Sequence, residues 1–297
     1  MSDTTSVLRL KIAEAGQLRS VVRTMKAVAS ASIGQYRKAE LALNDYERSV
    51  ELGLGVCLRA AGASSLGAKP AGSRAPRTVR AVVFGSDQGL VGRFNDVVAD
   101  LAVRELKGRK EKIETWAVGA RIVDLLTEAG LTPIGRFAVP SSVGGISALV
   151  GEVLVGTGEE KKFDDADELR LYYNRAASGA AYAAVCLRLL PLDESWRRDR
   201  ASMRWPAKAL PSAVGDGMST LRALIREYLF TSLFRACAES LTSENASRLA
   251  AMTRADKNIS DIQKKLDRRF HRLRQSAIDD EMFDVVAAFE ALGGARR

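Results

Sequence analysis

The residues best suited to chemistry lie in a glycine-rich turn, Gly85-Ser86-Asp87-Gln88-Gly89-Leu90-Val91-Gly92. It follows a short apolar run at 79–84 and leads into Arg93-Phe94-Asn95. A glycine turn between a strand and a helix is where backbone N–H groups cradle a phosphate. The spacing here argues against that. Glycines at 85, 89 and 92 give G-x-x-x-G-x-x-G, not G-x-G-x-x-G, and no acidic residue closes the next apolar run at 113–118 to hold a ribose. No G-x-x-x-x-G-K-[ST] run occurs in the chain. The expectation is therefore a tight loop whose glycines let a helix pack closely. Nucleophilic and metal chemistry are equally thin. His271 is the single histidine, in a basic helical stretch far in sequence from Cys57 and Cys186. Cys57, Cys186 and Cys237 never form a Cys-x-x-Cys pair and read as small buried hydrophobes. The acidic pairs Asp164-Asp165 and Asp279-Asp280 are too ordinary to indicate glycoside or proton chemistry.

The elements that would position such groups are dominated by the two ends. From 218 to 292 there is no glycine and no proline, and apolar residues return at Leu249, Met252, Ile259, Leu266, Phe270, Leu273 and Ala277. Steps of three and four draw one stripe along a helix and mark a seam for a partner helix. The N-terminal stretch repeats the pattern at Ala15, Leu18, Val22, Met25, Ala29, Ser32, Tyr36, Ala39, Leu43 and Tyr46. Two such helices predict an antiparallel coiled coil that closes the chain on itself. The domains expected are an N-terminal coiled-coil helix at 1–62, a linker rich in glycine, serine and proline at 63–78, an α/β domain at 79–211 and a C-terminal coiled-coil helix at 212–297. Between the helices, strands are predicted at 79–84, 113–118, 132–139, 168–176 and 181–190, and helices at 94–107, 120–129 and 146–155. Alternating strands and helices predict a mainly parallel, Rossmann-like sheet, with the last two strands forming an antiparallel edge. In the strand at 168–176, Leu169, Leu171 and Tyr173 are expected inward. The segment 192–211 reads as charged and irregular.

Composition is that of an ordinary globular chain, 46% hydrophobic and 27% charged, with 6% aromatics that suit a helical rod. The longest apolar runs fall far short of the roughly 20 residues a membrane span needs. The polar start, 1–5, leads directly into the first helix and leaves no room for a signal or transit segment. A net charge of +9 invites a nucleic-acid reading, since Arg248, Arg254, Lys257, Lys264, Lys265, Arg268, Arg269, Arg272 and Arg274 crowd the last helix. Aromatics do not interleave them and acids ring the same helix, which favours a solvated face or an acidic protein partner. The alternative kept open is a basic coiled-coil protein that binds nucleic acid or acts as a scaffold.

Three stretches resemble the gamma subunit of rotary F-type ATP synthases. Thr24-Met25-Lys26-Ala27-Val28-Ala29-Ser30 is similar to the family's K-A-M-x-M-V-A-A, and Ser86-Asp87-Gln88-Gly89-Leu90-Val91-Gly92 through Asn95 to its S-S-D-R-G-L-C-G-x-x-N. The most specific is Ser243-Glu244-Asn245-Ala246-Ser247-Arg248-Leu249-Ala250-Ala251-Met252, resembling S-E-x-A-A-R-M-V-A-M, followed by Arg274-Gln275-Ser276-Ala277-Ile278, resembling A-R-Q-A-x-I. Tyr173-Asn174 and Leu189-Leu190-Pro191 add weaker agreement. The chain departs from the family at 32–35, at Gln88 in place of an arginine and at Asp279 in place of a threonine. It looks like a divergent member, of the kind found in an alternative bacterial F-type ATPase.

The resemblance implies a non-catalytic rotor without cofactors, in a proton- or sodium-translocating complex peripheral to the cytoplasmic face of a bacterial inner membrane. Its implied partners are the hexameric catalytic head of alpha and beta subunits, the small epsilon subunit of the central stalk and the membrane proteolipid ring. Arg274 and Gln275 match residues that meet a catch loop of a catalytic subunit, and Met25 and Lys26 are expected to face the same collar. Phe283, Val286 and Phe289 belong to an apolar tip expected to turn inside a hydrophobic bearing.

Overall fold

The computed structural model describes residues 4–61, 78–158, 167–177, 180–209, 211 and 217–294. The expected linker, apart from Thr78, and the pair Asp164-Asp165 lie outside the described residues. In chain order the elements are α1 (Thr5–Ala61), β1 (Thr78–Phe84), α2 (Phe94–Leu106), β2 (Lys112–Val118), α3 (Ala120–Glu128), β3 (Gly135–Phe137), α4 (Val143–Gly156), β4 (Asp167–Ala177), β5 (Ala180–Leu190), α5 (Glu194–Ser202) and α6 (Gly217–Gly294). At 1.5 Å per residue, the 78 residues of α6 give about 117 Å of helical rise and the 57 of α1 about 85 Å. The chain divides into two units, Met1–Val28 with Leu249–Arg297, and Ala29–Arg248.

In the larger unit the five strands lie in the order β3-β2-β1-β4-β5. The pairs β1·β2, β1·β4 and β2·β3 are parallel, and β4·β5 is antiparallel at one edge, as expected. Successive residues of β1 feed opposite faces. Val79, Ala81 and Val83 pack with α2 and α3 through Val98, Ala102, Leu106, Ile122 and Leu126. Val82 and Phe84 join a second core with Ile146 and Val150 of α4, Leu54 of α1, and Leu229 and Leu233 of α6. Layers of helix therefore cover both faces. That corrects the one-sided reading of β4: Leu169, Leu171 and Tyr173 are buried, but so are Glu168, Tyr172 and Asn174 on the opposite face. Two further predictions are corrected. The third strand is three residues long rather than eight, starting where Gly135 lies so close to the Trp116 ring that a Cβ would stand 2.8 Å from Trp116 Cδ1. The stretch expected to be irregular contains helix α5, capped by Asp193, whose carboxylate accepts from Trp196 N at 2.8 Å.

In the smaller unit the ends of α1 and α6 pair antiparallel, since Arg9 meets Phe270, Gly16 and Arg19 meet Gln263, and Arg19 meets Asp256. Along α1 the buried or half-buried column is Leu8, Ala15, Val22, Ala29, Tyr36, Leu43, Val50 and Cys57, a repeat of seven. Leu18 and Tyr46, both expected in the seam, are exposed. The flank four residues on from the first column is covered throughout, at Ile12, Arg19, Lys26, Ile33, Glu40, Glu47 and Leu54, whereas the expected flank three residues on is covered at Met25, Ser32 and Ala39 only in the middle of the run. On a 3.6-residue helix the +4 position lies about 40° to one side of the first column and the +3 position about 60° to the other. Charged residues with partners on α6 take the +4 side inside, and the apolar +3 residues at both ends of the predicted run are left outside.

Candidate functional site

The glycine turn sits where a nucleotide would bind in a sheet of this kind, outside the carboxyl ends of β1 and β4, where the strand order reverses. There the turn is held by the chain's own side chains. Asp87 occupies the N-terminus of α3, its carboxylate accepting from Ala120 N at 2.8 Å and Val139 N at 2.9 Å. A carboxylate there satisfies the orphan donors and the helix dipole that an anionic ligand would otherwise meet. Asn95 Oδ1 accepts from Ser86 N at 2.9 Å, and Asn95 Nδ2 donates to Ser86 Oγ at 2.9 Å. The buried Asn174, from the end of β4, donates to Phe94 O at 2.8 Å. Gly85 is required for close packing: a Cβ there would stand 2.5 Å from Ile122 Cβ. Gly119, at φ 104°, passes against the Ser86 backbone in a conformation that L side chains rarely adopt.

The turn is also clamped from outside by α6, where Ser247 Oγ donates to Val91 O at 2.5 Å. One helical turn earlier, Glu244 is buried and accepts from Arg248 at 2.6 Å. Burial pushes the Glu244 carboxyl above its usual range, the Arg248 charge opposes the shift and the nearby Asp87 adds to it. Two of the three family-like stretches thus meet each other, and their residues support the fold rather than a ligand. Among the described residues no group of His, Cys, Asp and Glu is arranged to hold a metal.

The residues expected from the sequence to meet partners lie on the paired ends. Asp256 is the electrostatic centre of that pair, accepting from Arg19 Nε at 2.9 Å, with Arg23 Nε at 3.6 Å and Lys26 Nζ at 3.7 Å. The Arg19 hydrogen bond, together with the charges of Arg19, Arg23 and Lys26, holds the Asp256 carboxyl below its ordinary value. Met25 is half-buried against Val22, Met252 and Ile259. Of the residues singled out from the sequence, Met25 and Lys26 are therefore engaged within the helix pair, while Arg274, Gln275, Phe283 and Val286 are exposed. The side chain of Phe289 lies outside the described residues. Lys26 pairs with Asp256, and 18 residues of α6 separate Asp256 from Arg274, about 27 Å of rise. Met25–Lys26 and Arg274–Gln275 therefore sit at two levels along the helix pair.

Every side chain from 274 to 288 is exposed. Ile278, Met282, Val285 and Val286 share one side of α6 by their i, i+4, i+7 and i+8 spacing, with Glu281 at its edge and Asp280 and Asp284 on the other side. Past Glu281 apolar residues spread round the helix, since Met282, Phe283, Val285, Val286, Ala287 and Ala288 fall at widely separated angles and Asp284 is the one charge among them. A second exposed stripe, absent from the sequence reading, runs along α1 through Val7, Leu10, Leu18, Val21 and Val28. The same spacing carries its signal, with Leu18 on this stripe rather than in the seam. Contiguous apolar surface of this kind marks a contact with another macromolecule.

A glycine turn held by the chain's own side chains and a helix pair carrying exposed apolar stripes have the build of a mechanical or scaffolding component. The comparisons agree and give the family. The chain belongs to the ATP synthase family, whose model matches residues 4–292. It is 26% identical to the ATP synthase gamma chain of Anaeromyxobacter sp. (strain Fw109-5), over 96% of this chain and 98% of that one. It is 27% identical to that of Sorangium cellulosum (strain So ce56), again over 96% and 98%. Among solved structures it superposes on a chain of the Euglena gracilis mitochondrial ATP synthase OSCP/F1/c-ring assembly with a TM-score of 0.63, at 16% identity, covering 99% of this chain and 96% of that one. A chain of the Tetrahymena thermophila mitochondrial ATP synthase central stalk and c-ring matches with a TM-score of 0.54, at 21% identity, over 79% and 99%. These likenesses share the fold described above.

Proposed function

We propose that this chain is the gamma rotor of an F-type ATP synthase, a non-catalytic shaft that couples rotation of a membrane ring to the nucleotide cycle of a catalytic head. The observation that carries the reading is the family match over 4–292 on a chain whose ends pair as antiparallel helices. Catalytic sites lie in the beta subunits. The shaft acts on them by presenting a different face at each angle, so that differential contacts bias each site between tight and loose states. An α-helix transmits torque without yielding where glycine and proline are absent, as they are from 218 to 292.

Within this reading the alpha and beta subunits enclose the paired ends, and the stripe Val7, Leu10, Leu18, Val21 and Val28 together with Phe283, Val286 and Phe289 runs against apolar loops of that ring. Arg274 and Gln275 are free to meet a carboxylate-bearing catch loop, by charge-assisted hydrogen bonds for the guanidinium. Met25 and Lys26 serve a separate level of contact, with Lys26 sharing Asp256. The α/β domain contacts the epsilon subunit and the proteolipid ring, at the cytoplasmic face of a bacterial inner membrane. Among the described residues no helix is long and apolar enough to cross a membrane, so attachment runs through the complex. Affinity purification through a tag on this chain should bring down an ATPase with one copy of the chain per hexameric head. The double change Arg274→Ala with Gln275→Ala should lower ATPase activity in that complex with helix content unchanged. Recovery of the chain with no ATPase subunits would overturn the reading.

A further inference from the structure

Helix α5 is unusual in having no buried residue, yet it is tied to three other elements. At its start, Asp193 caps the helix and pairs with Arg188 of β5. In its middle, Trp196 Nε1 donates to Tyr228 OH of α6 at 3.1 Å, with the two rings 5.0 Å apart. Arg200 lies over the Trp196 ring at 5.5 Å and reaches Glu51 of α1 at 2.7 Å. At its end, Arg59 of α1 donates to the carbonyls of Ala201 at 2.7 Å and Met203 at 3.0 Å, closing the last turn. Gly55 of α1 passes so close that a Cβ would stand 2.4 Å from Arg200 O. The neighbouring Gly53 lets α1 approach Leu224 of α6.

A nine-residue charged helix that presents only a half-buried Trp196 to the core adds little hydrophobic stability. Its ties are directional, and they join the edge strand of the sheet to both long helices at the same place. We infer that α5 is a torque strap: Gly55, Arg59, Trp196 and Arg200 are positioning residues that fix the sheet to α1 and α6, so that twist passes between them without slack. The inference rests on the rotor reading. A loosened strap leaves the shaft folded and the catalytic sites intact, but lets the joint yield when rotation is opposed.

The test uses the whole complex in inverted membrane vesicles, measuring ATP hydrolysis and ATP-driven ion uptake, with a pH dye and a sodium probe, both without and against an imposed ion gradient. Arg59→Ala removes two carbonyl ties at an exposed position, Arg59→Lys keeps the charge, Trp196→Phe keeps a ring but loses the Tyr228 bond, and Gly55→Ala pushes α5 away. Without a gradient, ions moved per ATP should match the parent in every variant. Against the gradient the ratio should fall about threefold or more in Arg59→Ala and Gly55→Ala, less in Trp196→Phe, and recover in part in Arg59→Lys. An unchanged ratio under load in assembled Arg59→Ala and Trp196→Phe complexes overturns the strap. So does loss of Arg59→Ala from the complex while Trp196→Phe couples as well as the parent. Failure of the rotor reading is seen separately, as parent vesicles whose hydrolysis and uptake persist without this chain.

Discussion

Replacing Ile259 with alanine should loosen the helix pair far more than replacing Leu18, although both changes remove three side-chain carbons. Ile259 is 8% exposed and packs with Val22 and Met252. At about 0.8 kcal/mol per buried CH2, its truncation costs about 2.4 kcal/mol. The better helix propensity of alanine offsets about 0.4 kcal/mol of this and the residual cavity adds a similar amount, so the net loss is about 2–3 kcal/mol. Leu18 is 55% exposed, and its truncation should cost about 1 kcal/mol or less. Amide hydrogen exchange on the purified chain reads the difference directly, because these ends open locally. Exchange across 15–28 and 252–266 should accelerate about 30- to 150-fold in Ile259→Ala and about fivefold or less in Leu18→Ala. Equal acceleration in the two variants would refute the seam assigned here and restore the +3 column read from the sequence.

Asp256 makes a prediction in pH. Its folded carboxyl titrates below the ordinary 3.8, so its contribution to stability is full above the unfolded value and disappears as pH falls through the depressed folded value. Asp256→Asn should therefore melt below the parent at pH 7 and converge with it in acid, and an NMR titration of the carboxyl should show the lowered midpoint. Ser247→Ala deletes the clamp on Val91 O and should lower stability by about 1–2 kcal/mol in denaturant titration, with the sheet retained. Asp87→Ala leaves Ala120 N and Val139 N without their acceptor and should cost about 1–2 kcal/mol in the same titration. Burial raises the Cys237 thiol strongly, so a thiol reagent at pH 8 should label it only after unfolding, whereas the half-buried Cys186 reacts sooner.

The fold was legible wherever a period was strong. The seven-residue repeat of α1, the unbroken run of α6 and the apolar strands β1 and β2 all follow from spacing. Spacing could not say which flank of the α1 stripe faces inward, because Leu18 is apolar and Arg19 is charged. Only the position of Asp256 on α6 decides it. Helix α5 was missed because Glu194-Ser195-Trp196-Arg197-Arg198-Asp199-Arg200 has no apolar period, although Asp193 as a cap and Arg200 in the last turn were available signals. Both faces of β4 are buried, so the alternation of Leu169, Leu171 and Tyr173 hid Tyr172 and Asn174. Of the residues expected to meet partners, Arg274, Gln275, Phe283 and Val286 are exposed and Met25 and Lys26 are half-buried in the helix pair, a difference that residue type and spacing do not encode.

The charged flank of the helix pair has a consequence for assembly. Heptad columns are self-similar, and sliding one helix past the other by seven residues returns apolar groups to apolar groups. The ionic contacts do not repeat in that way: Arg19 finds Asp256 in one setting, and Glu47 finds Arg235 in one setting. Like the teeth of a key, they make the misthreaded alternatives energetically distinct, so within each unit register is written in charge while cohesion is written in hydrocarbon.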